Sequence, residues 1–298
     1  MMSDKPLPRE AVLVVNARSR KGEAMFNRAR AALEAAGIRL IAAHGLRDPA
    51  HMAPTVRKSV QQGAPMVIVG GGDGSLSGTV DELVGKDCVF AVLPLGTANS
   101  FARTLGLPLD LEAAVAAIAN GRRRRVDLGV INGDYFVNSA SIGLSPLIGA
   151  TVPHGLKRYL GRLGYLIWAV RCFFNLRPFR LIIDDGAREQ RLWATEVRIL
   201  NGRFHGGVEL SETAEVDSGR IMVQAVTGRS LLRLCADWYA KFFKLRDRDA
   251  HTQEFVAPAF RIDTRPRLRI SIDGEVLART PADVRIAAAA IEVAVAAD

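Results

Sequence analysis

The chain has 298 residues, 49% of them apolar, and 40 Lys and Arg against 31 Asp and Glu give it a formal charge of +9. Such a composition excludes a disordered or fibrous chain and leaves room for one large domain or two ordinary ones. The positive balance favours anionic partners, whether phospholipid headgroups, nucleic acid or a phosphorylated substrate, without choosing among them.

Met1 to Glu10 lacks a basic start followed by an apolar core, so no secretory signal is expected there. Ala11 to Asn16 predicts the first strand, and Asn16-Ala-Arg-Ser-Arg-Lys-Gly22 leads from it into a helix ending near Gly37. Arg18, Ser19, Arg20 and Lys21 ahead of a helix start suit phosphate, and they suit a solvated basic loop equally well. Ile38 to Ala43 then predicts a strand and Pro49 to Gln62 a helix.

Val67-Ile-Val-Gly-Gly-Gly-Asp-Gly-Ser75 is a strand buried on both faces that breaks into glycines, and Leu76 to Val84 resumes with helical spacing. Glycines at a strand-to-helix turn permit close backbone approach, and the first N–H groups of the helix attract anions. Gly71, Gly72, Gly74 and Ser75 are therefore candidate phosphate contacts. Asp73 repels phosphate unless a cation or a hydrogen-bonded network stands between them, which points to a nucleotide with Mg²⁺. The spacing fits neither a Walker A loop nor a dinucleotide fingerprint. Cys88 to Leu93 predicts the next strand, and Pro94-Leu-Gly-Thr-Ala-Asn-Ser-Phe-Ala-Arg103 carries it into a helix. Both turns then lie at one edge of a parallel sheet, where open α/β folds bind ligands.

With GGDGS at 71–75 and PLGTANSFAR at 94–103, the chain resembles the catalytic domain of the diacylglycerol kinase and lipid kinase superfamily. The resemblance implies nucleotide contacts from Asn16, Ser19, Lys21, Gly71, Gly72, Gly74, Ser75, Gly96, Thr97, Asn99 and Ser100. The first loop matches in part, since Ala17 and Arg20 replace the family's proline and glycine.

Strand and helix patterns alternate to about residue 120, ending with the helix Leu111 to Asn120, which argues for a doubly wound parallel sheet. Arg122 to Arg125 reads as a solvated surface run. From 126 onward strand-like runs meet at Asn132-Gly133 and Asp185-Gly186, strong hairpin signals, so a second, mostly antiparallel domain follows. Lys157 to Phe174 and Leu231 to Phe243 are apolar helices with basic residues; such helices more often pack on a sheet than lie on a membrane, and they are the candidates for docking. No stretch reaches the roughly 20 apolar residues of a membrane span. Cys88, Cys172 and Cys235 read as core thiols.

Ser271-Ile-Asp-Gly-Glu-Val-Leu277 reads first as a hairpin turning at Asp273-Gly274. The resemblance adds chemistry: Asp273 becomes the general base for a lipid hydroxyl, with Glu275 in the same acidic site and Asp73 as the third catalytic carboxylate. It also implies a metal network at Asp73 and Asp217. Ser100 and Ser218 stand where the family carries aspartates, and Ser75 where it carries threonine. Ala282 to Val295 predicts a strand pair or a strand with a short helix.

The expected fold is α/β, with a Rossmann-like domain over 1–125, rejoined by 282–298, and an antiparallel β-sandwich over 126–281. The expected function is an ATP- and Mg²⁺-dependent lipid kinase, cytoplasmic and peripheral on an anionic membrane, with no nucleic-acid partner. The alternatives are an NAD kinase-like enzyme and a degenerate kinase fold that binds without turnover.

Overall fold

The structure, a computed structural model, describes residues 2–18, 20–144, 146–147, 168, 171–173, 175–243, 245 and 250–297. The apolar runs Glu10–Asn16, Met66–Gly71 and Val89–Pro94 become central parallel strands because both of their faces are covered. Val12, Val14, Val67 and Val69 enter one apolar cluster, while Leu13, Val15, Met66 and Ile68 enter the cluster on the opposite face. The strand order is Arg39–Leu46, Glu10–Asn16, Met66–Gly71, Val89–Pro94, all parallel. Helices Arg20–Ala35, Met52–Gln61, Asp73–Val80 and Leu111–Asn120 belong to this half.

Beyond it the pairing turns antiparallel, as the hairpin signals require. Arg122–Ile131 and Asp134–Phe136 meet at Asn132 and Gly133, whose φ angles of 53° and 108° are those of a tight hairpin turn. Phe179–Asp184 pairs with Glu189–Leu200 in the same way. Ser139–Ile142, Ile221–Thr227, Thr252–Ala257, Ala259–Arg265, Arg269–Ile272 and Glu275–Arg279 complete this half. Their inward side chains, Ile142, Val223, Ile262 and Ile270 among them, form a third apolar cluster.

Four readings change. Ala282–Val295 is one strand rather than two elements: its register jumps between Ala287 and Ile291, Ala289 takes a φ of 50°, and Asp127 Oδ1 accepts the Ala289 N–H at 2.8 Å. A bulge thus absorbs the alanine-rich middle without ending the strand. Arg122 to Arg125, expected as a solvated surface run, starts a sheet strand and is paired, with Arg123 and Arg125 each 3.2 Å from Glu292 and Arg124 2.8 Å from Asp217. Cys88 and Cys172 are buried, but Cys235 is exposed, because its helix turns an apolar face outward. Lastly, the run from Tyr135 to Ile142 is two short strands, not one.

Ala282–Val295 pairs antiparallel with Ala259–Arg265 and Arg122–Ile131, and parallel with Val89–Pro94 at Glu292 and Val293. One hydrogen-bonded sheet therefore runs through both halves. Most of the helical stretch Lys157 to Phe174 lies outside the described residues. No described helix is long and apolar enough to cross a membrane.

Candidate functional site

The two glycine turns touch through bare backbone. Leu95 N–H donates to Gly71 O at 3.0 Å, and a Cβ added at Gly96 would stand 2.4 Å from Gly72 Cα. A Cβ at Gly71 would lie 2.6 Å from Ser75 Cβ. These glycines are fixed by close approach rather than by unusual φ.

Asp73 opens the helix Asp73–Val80, and its Oδ1 accepts the Phe101 N–H at 3.1 Å, tying the first turn to the helix Ser100–Thr104. Asn16 Nδ2 donates to Ser75 Oγ at 3.1 Å, which brings in the end of the first strand. Along Asn16, Gly72, Gly74, Ser75 and Glu275 runs a cleft of about 550 Å³. The start of the helix Asp73–Val80 lines it, and a helix N-terminus carries the positive end of the helix dipole.

Asn99 and Ser100 are both buried and bonded within the protein. Asn99 is buried in the left-handed region at φ 49°; its Oδ1 accepts Gly96 N–H at 2.9 Å, and its Nδ2 donates to Gly96 O at 3.0 Å. The side chain closes its own loop into shape. Ser100, also buried, accepts the Gly207 N–H at 3.1 Å, linking the loop to the second half. Gly96 and Thr97 stay exposed at the rim. Ser19, and the side chain of Lys21, lie outside the described residues.

Asp273 and Gly274, at φ 44° and 95°, do form a hairpin turn, and that turn delivers the carboxylate to the first half. Asp273 Oδ2 accepts Ser77 Oγ–H at 2.7 Å and Val137 N–H at 2.8 Å. Its Oδ1 accepts the N–H groups of Asn138 and Ser139, both at 3.1 Å. Burial pushes the Asp273 carboxyl up, and although Ser77 and the three amides favour the ionised form, it stays above the ordinary carboxylate range. Burial, and after it the neighbouring Asp134, also raises Asp81. Asp273, Asp81 and Asp134 line a small cleft of about 140 Å³, and Gly74, Gly78 and Glu275 line both this cleft and the larger one.

The other residue expected in the metal network, Asp217, is held by an arginine. Asp217 pairs with Arg124 at 2.8 Å, beside a turn in which Asp127 Oδ2 accepts Gly219 N–H at 2.7 Å. Ser218 bonds locally to Glu215 O at 2.9 Å. Among the described residues no three carboxylate, imidazole or thiol groups converge as a metal set.

Sequence reasoning missed Ser77, Ser139 and His205. Ser139 Oγ lies 2.6 Å from His205 Nδ1, and burial, with Arg198 adding to it, holds His205 below its ordinary value despite Glu196. His205 is thereby neutral near pH 7. Only Ser77 carried a signal, its place two residues beyond GGDGS; the others meet across 66 positions.

Residues 10–131 match the diacylglycerol kinase catalytic domain, and residues 138–295 match the YegS C-terminal NAD kinase beta sandwich-like domain. The "Probable lipid kinase YegS-like" of Chromohalobacter salexigens is 32% identical over 74% of this chain and 72% of its own length. A "Diacylglycerol kinase" of Bacillus subtilis is 28% identical over 70% of this chain and 71% of that one. A crystal structure of a diacylglycerol kinase from Bacillus anthracis superposes with a TM-score of 0.79 at 20% identity, covering 98% of each chain, a likeness of fold.

Proposed function

The chain belongs to the family of YegS-like lipid kinases, and from that premise we propose that it transfers the γ-phosphate of ATP to a lipid hydroxyl in the joined clefts. The observation that carries this is the bond from Ser77 to Asp273, which sets a carboxylate of the second half beside the glycine turn of the first.

In this reading the nucleotide-binding half is 1–125 with 282–298, and 126–281 carries the lipid. The triphosphate lies along Gly71, Gly72, Gly74 and Ser75 at the start of the helix, with Asn16, Ser19, Lys21, Gly96 and Thr97 around it, while Asn99 and Ser100 keep the second loop in shape. The residues fit Mg²⁺ in its usual manner, through one or two carboxylates together with substrate phosphates. Asp73 is the carboxylate that would hold it, with Asp217 acting from its pair with Arg124; when bound, the ion neutralises phosphate charge. The lipid oxygen bonds to the γ-phosphorus, the bond to the bridging oxygen of ADP breaks, and the hydroxyl proton goes to Asp273. Glu275 adds to the acidic lining. A raised Asp273 is a better base than an ordinary aspartate.

Incubation with γ-labelled ATP, Mg²⁺ and a total membrane lipid extract should yield labelled lipid. Labelled NADP from NAD, or nucleotide binding without any transfer, would overturn the reading. Asp73→Asn is expected to weaken Mg·ATP use at least about tenfold with vesicle binding unchanged, measured side by side. Gly96→Ala, which forces the two turns apart, should abolish the ATP-dependent rise in Tm while the far-UV circular dichroism spectrum holds.

A further inference from the structure

The helix Leu231–Phe242 is apolar on both faces: Leu234 is buried in a cluster with Leu176 and Val226. Its buried face carries Asp237 and Lys241, whose side chains are fully covered, while Leu232 is 78% exposed, Tyr239 60%, Phe242 67% and the adjoining Phe243 56%. A helix on a globular surface normally keeps its outward face polar.

Charge holds the inner face alongside the apolar packing of Leu231, Leu234 and Trp238. Asp237 lies 2.7 Å from Arg198 and 3.1 Å from Lys241, and it accepts Thr252 Oγ1–H at 2.8 Å. Trp238 Nε1–H donates to Glu196 at 3.1 Å, and its ring lies 4.5 Å from the Arg198 guanidinium. These bonds fix the rotation of the helix about its axis, so the outer apolar stripe faces away from the sheet. Tyr239 and Phe242 lie against Phe243 at ring separations of 4.6 and 5.2 Å, one continuous aromatic patch.

We propose that this stripe is the surface on which the enzyme docks to an anionic phospholipid membrane, the source of its acceptor. The proposal rests on the lipid-kinase reading. Exposed Arg229 and Arg233 stand at the N-terminal end of the patch, cations beside aromatics of the kind that anionic interfaces take up; in the sequence Lys244, Arg246 and Arg248 come next. A second copy of the chain, seated face to face, would set arginines against arginines. The inner side of the helix also leads to the site: Trp238 packs on the same apolar cluster, around Leu200 and Leu210, as Val208 of the hairpin formed by Phe204–His205 and Val208–Glu209, and that hairpin's His205 and Gly207 bond Ser139 and Ser100.

The test is co-sedimentation of the full chain with vesicles of phosphatidylcholine alone or with about one third phosphatidylglycerol, without ATP. Wild type should partition onto the anionic vesicles, and Phe242→Ser with Phe243→Ser should lower the partition coefficient at least about tenfold. Both side chains are exposed, so Tm should hold. As a second readout, Phe242→Trp should gain fluorescence quenched by bromine-labelled acyl chains. Equal sedimentation of wild type and the double variant, or an unquenched tryptophan, overturns the proposal. So does a dimer that the double variant converts to monomer while vesicle binding persists. Because no turnover is measured, loss of kinase activity with binding intact would sink only the functional reading.

Discussion

Asp273→Asn is expected to lower kcat by about 100-fold or more while the affinity for ATP stays within about threefold. Asparagine keeps the shape of the side chain but cannot take the acceptor's proton. All four bonds to Asp273 have it accepting, so an amide in either orientation also turns one nitrogen toward N–H or O–H donors. That conflict should cost about 1–3 kcal/mol of stability, and Tm must be read beside the kinetics. Ser77→Ala separates the two effects. Ser77 favours the ionised carboxylate, so its loss should raise Asp273 further and move the acid limb of the pH–rate profile to higher pH. A limb unmoved in Ser77→Ala, or a kcat near wild type in Asp273→Asn, removes the proposed base.

Asp237→Ala should be the most destabilising single change on the surface helix. It leaves Arg198 and Lys241 buried without their shared carboxylate, and breaking a buried pair from one side costs about 3–5 kcal/mol. Burial would raise Asp237, but Arg198 and Lys241 together hold it below the ordinary range. A depressed folded-state value means that its contribution is fully present above the unfolded value of 3.8 and is lost as pH falls below it. Urea unfolding at pH 7 should therefore show a large gap between wild type and Asp237→Ala, narrowing as the buffer is taken toward pH 3. A constant gap would mean that packing, not charge, dominates the site.

Most of the first half could be read from residue order, because its strands are covered on both faces and its turns need glycine. The runs at 66–71 and 89–94, and the helix 111–120, have nothing in their patterns that competes with the reading. Asp273 was legible as the turn of a hairpin, and that hairpin is present. What escaped was contact between distant positions. No local pattern says that Ser139 meets His205, or that Arg124 will find Asp217 rather than solvent. On the helix 231–242 it was Cys235 that misled, for a physical reason: periodicity reports that a face is apolar, but not which face the sheet will take. Here the buried carboxylate and its cations help to decide, and Cys235 comes out exposed.

The strand Ala282–Val295 sits between Val89–Pro94 on one side and the antiparallel strands on the other, although nearly all the rest of the chain precedes it. On the ribosome, then, the early sheet waits with a naked hydrogen-bonding rim through most of translation. Such a rim invites intermolecular pairing. Heterologous production should accordingly benefit from slow, cool induction or added holdase capacity, and nascent-chain aggregates should be enriched in fragments ending before residue 282.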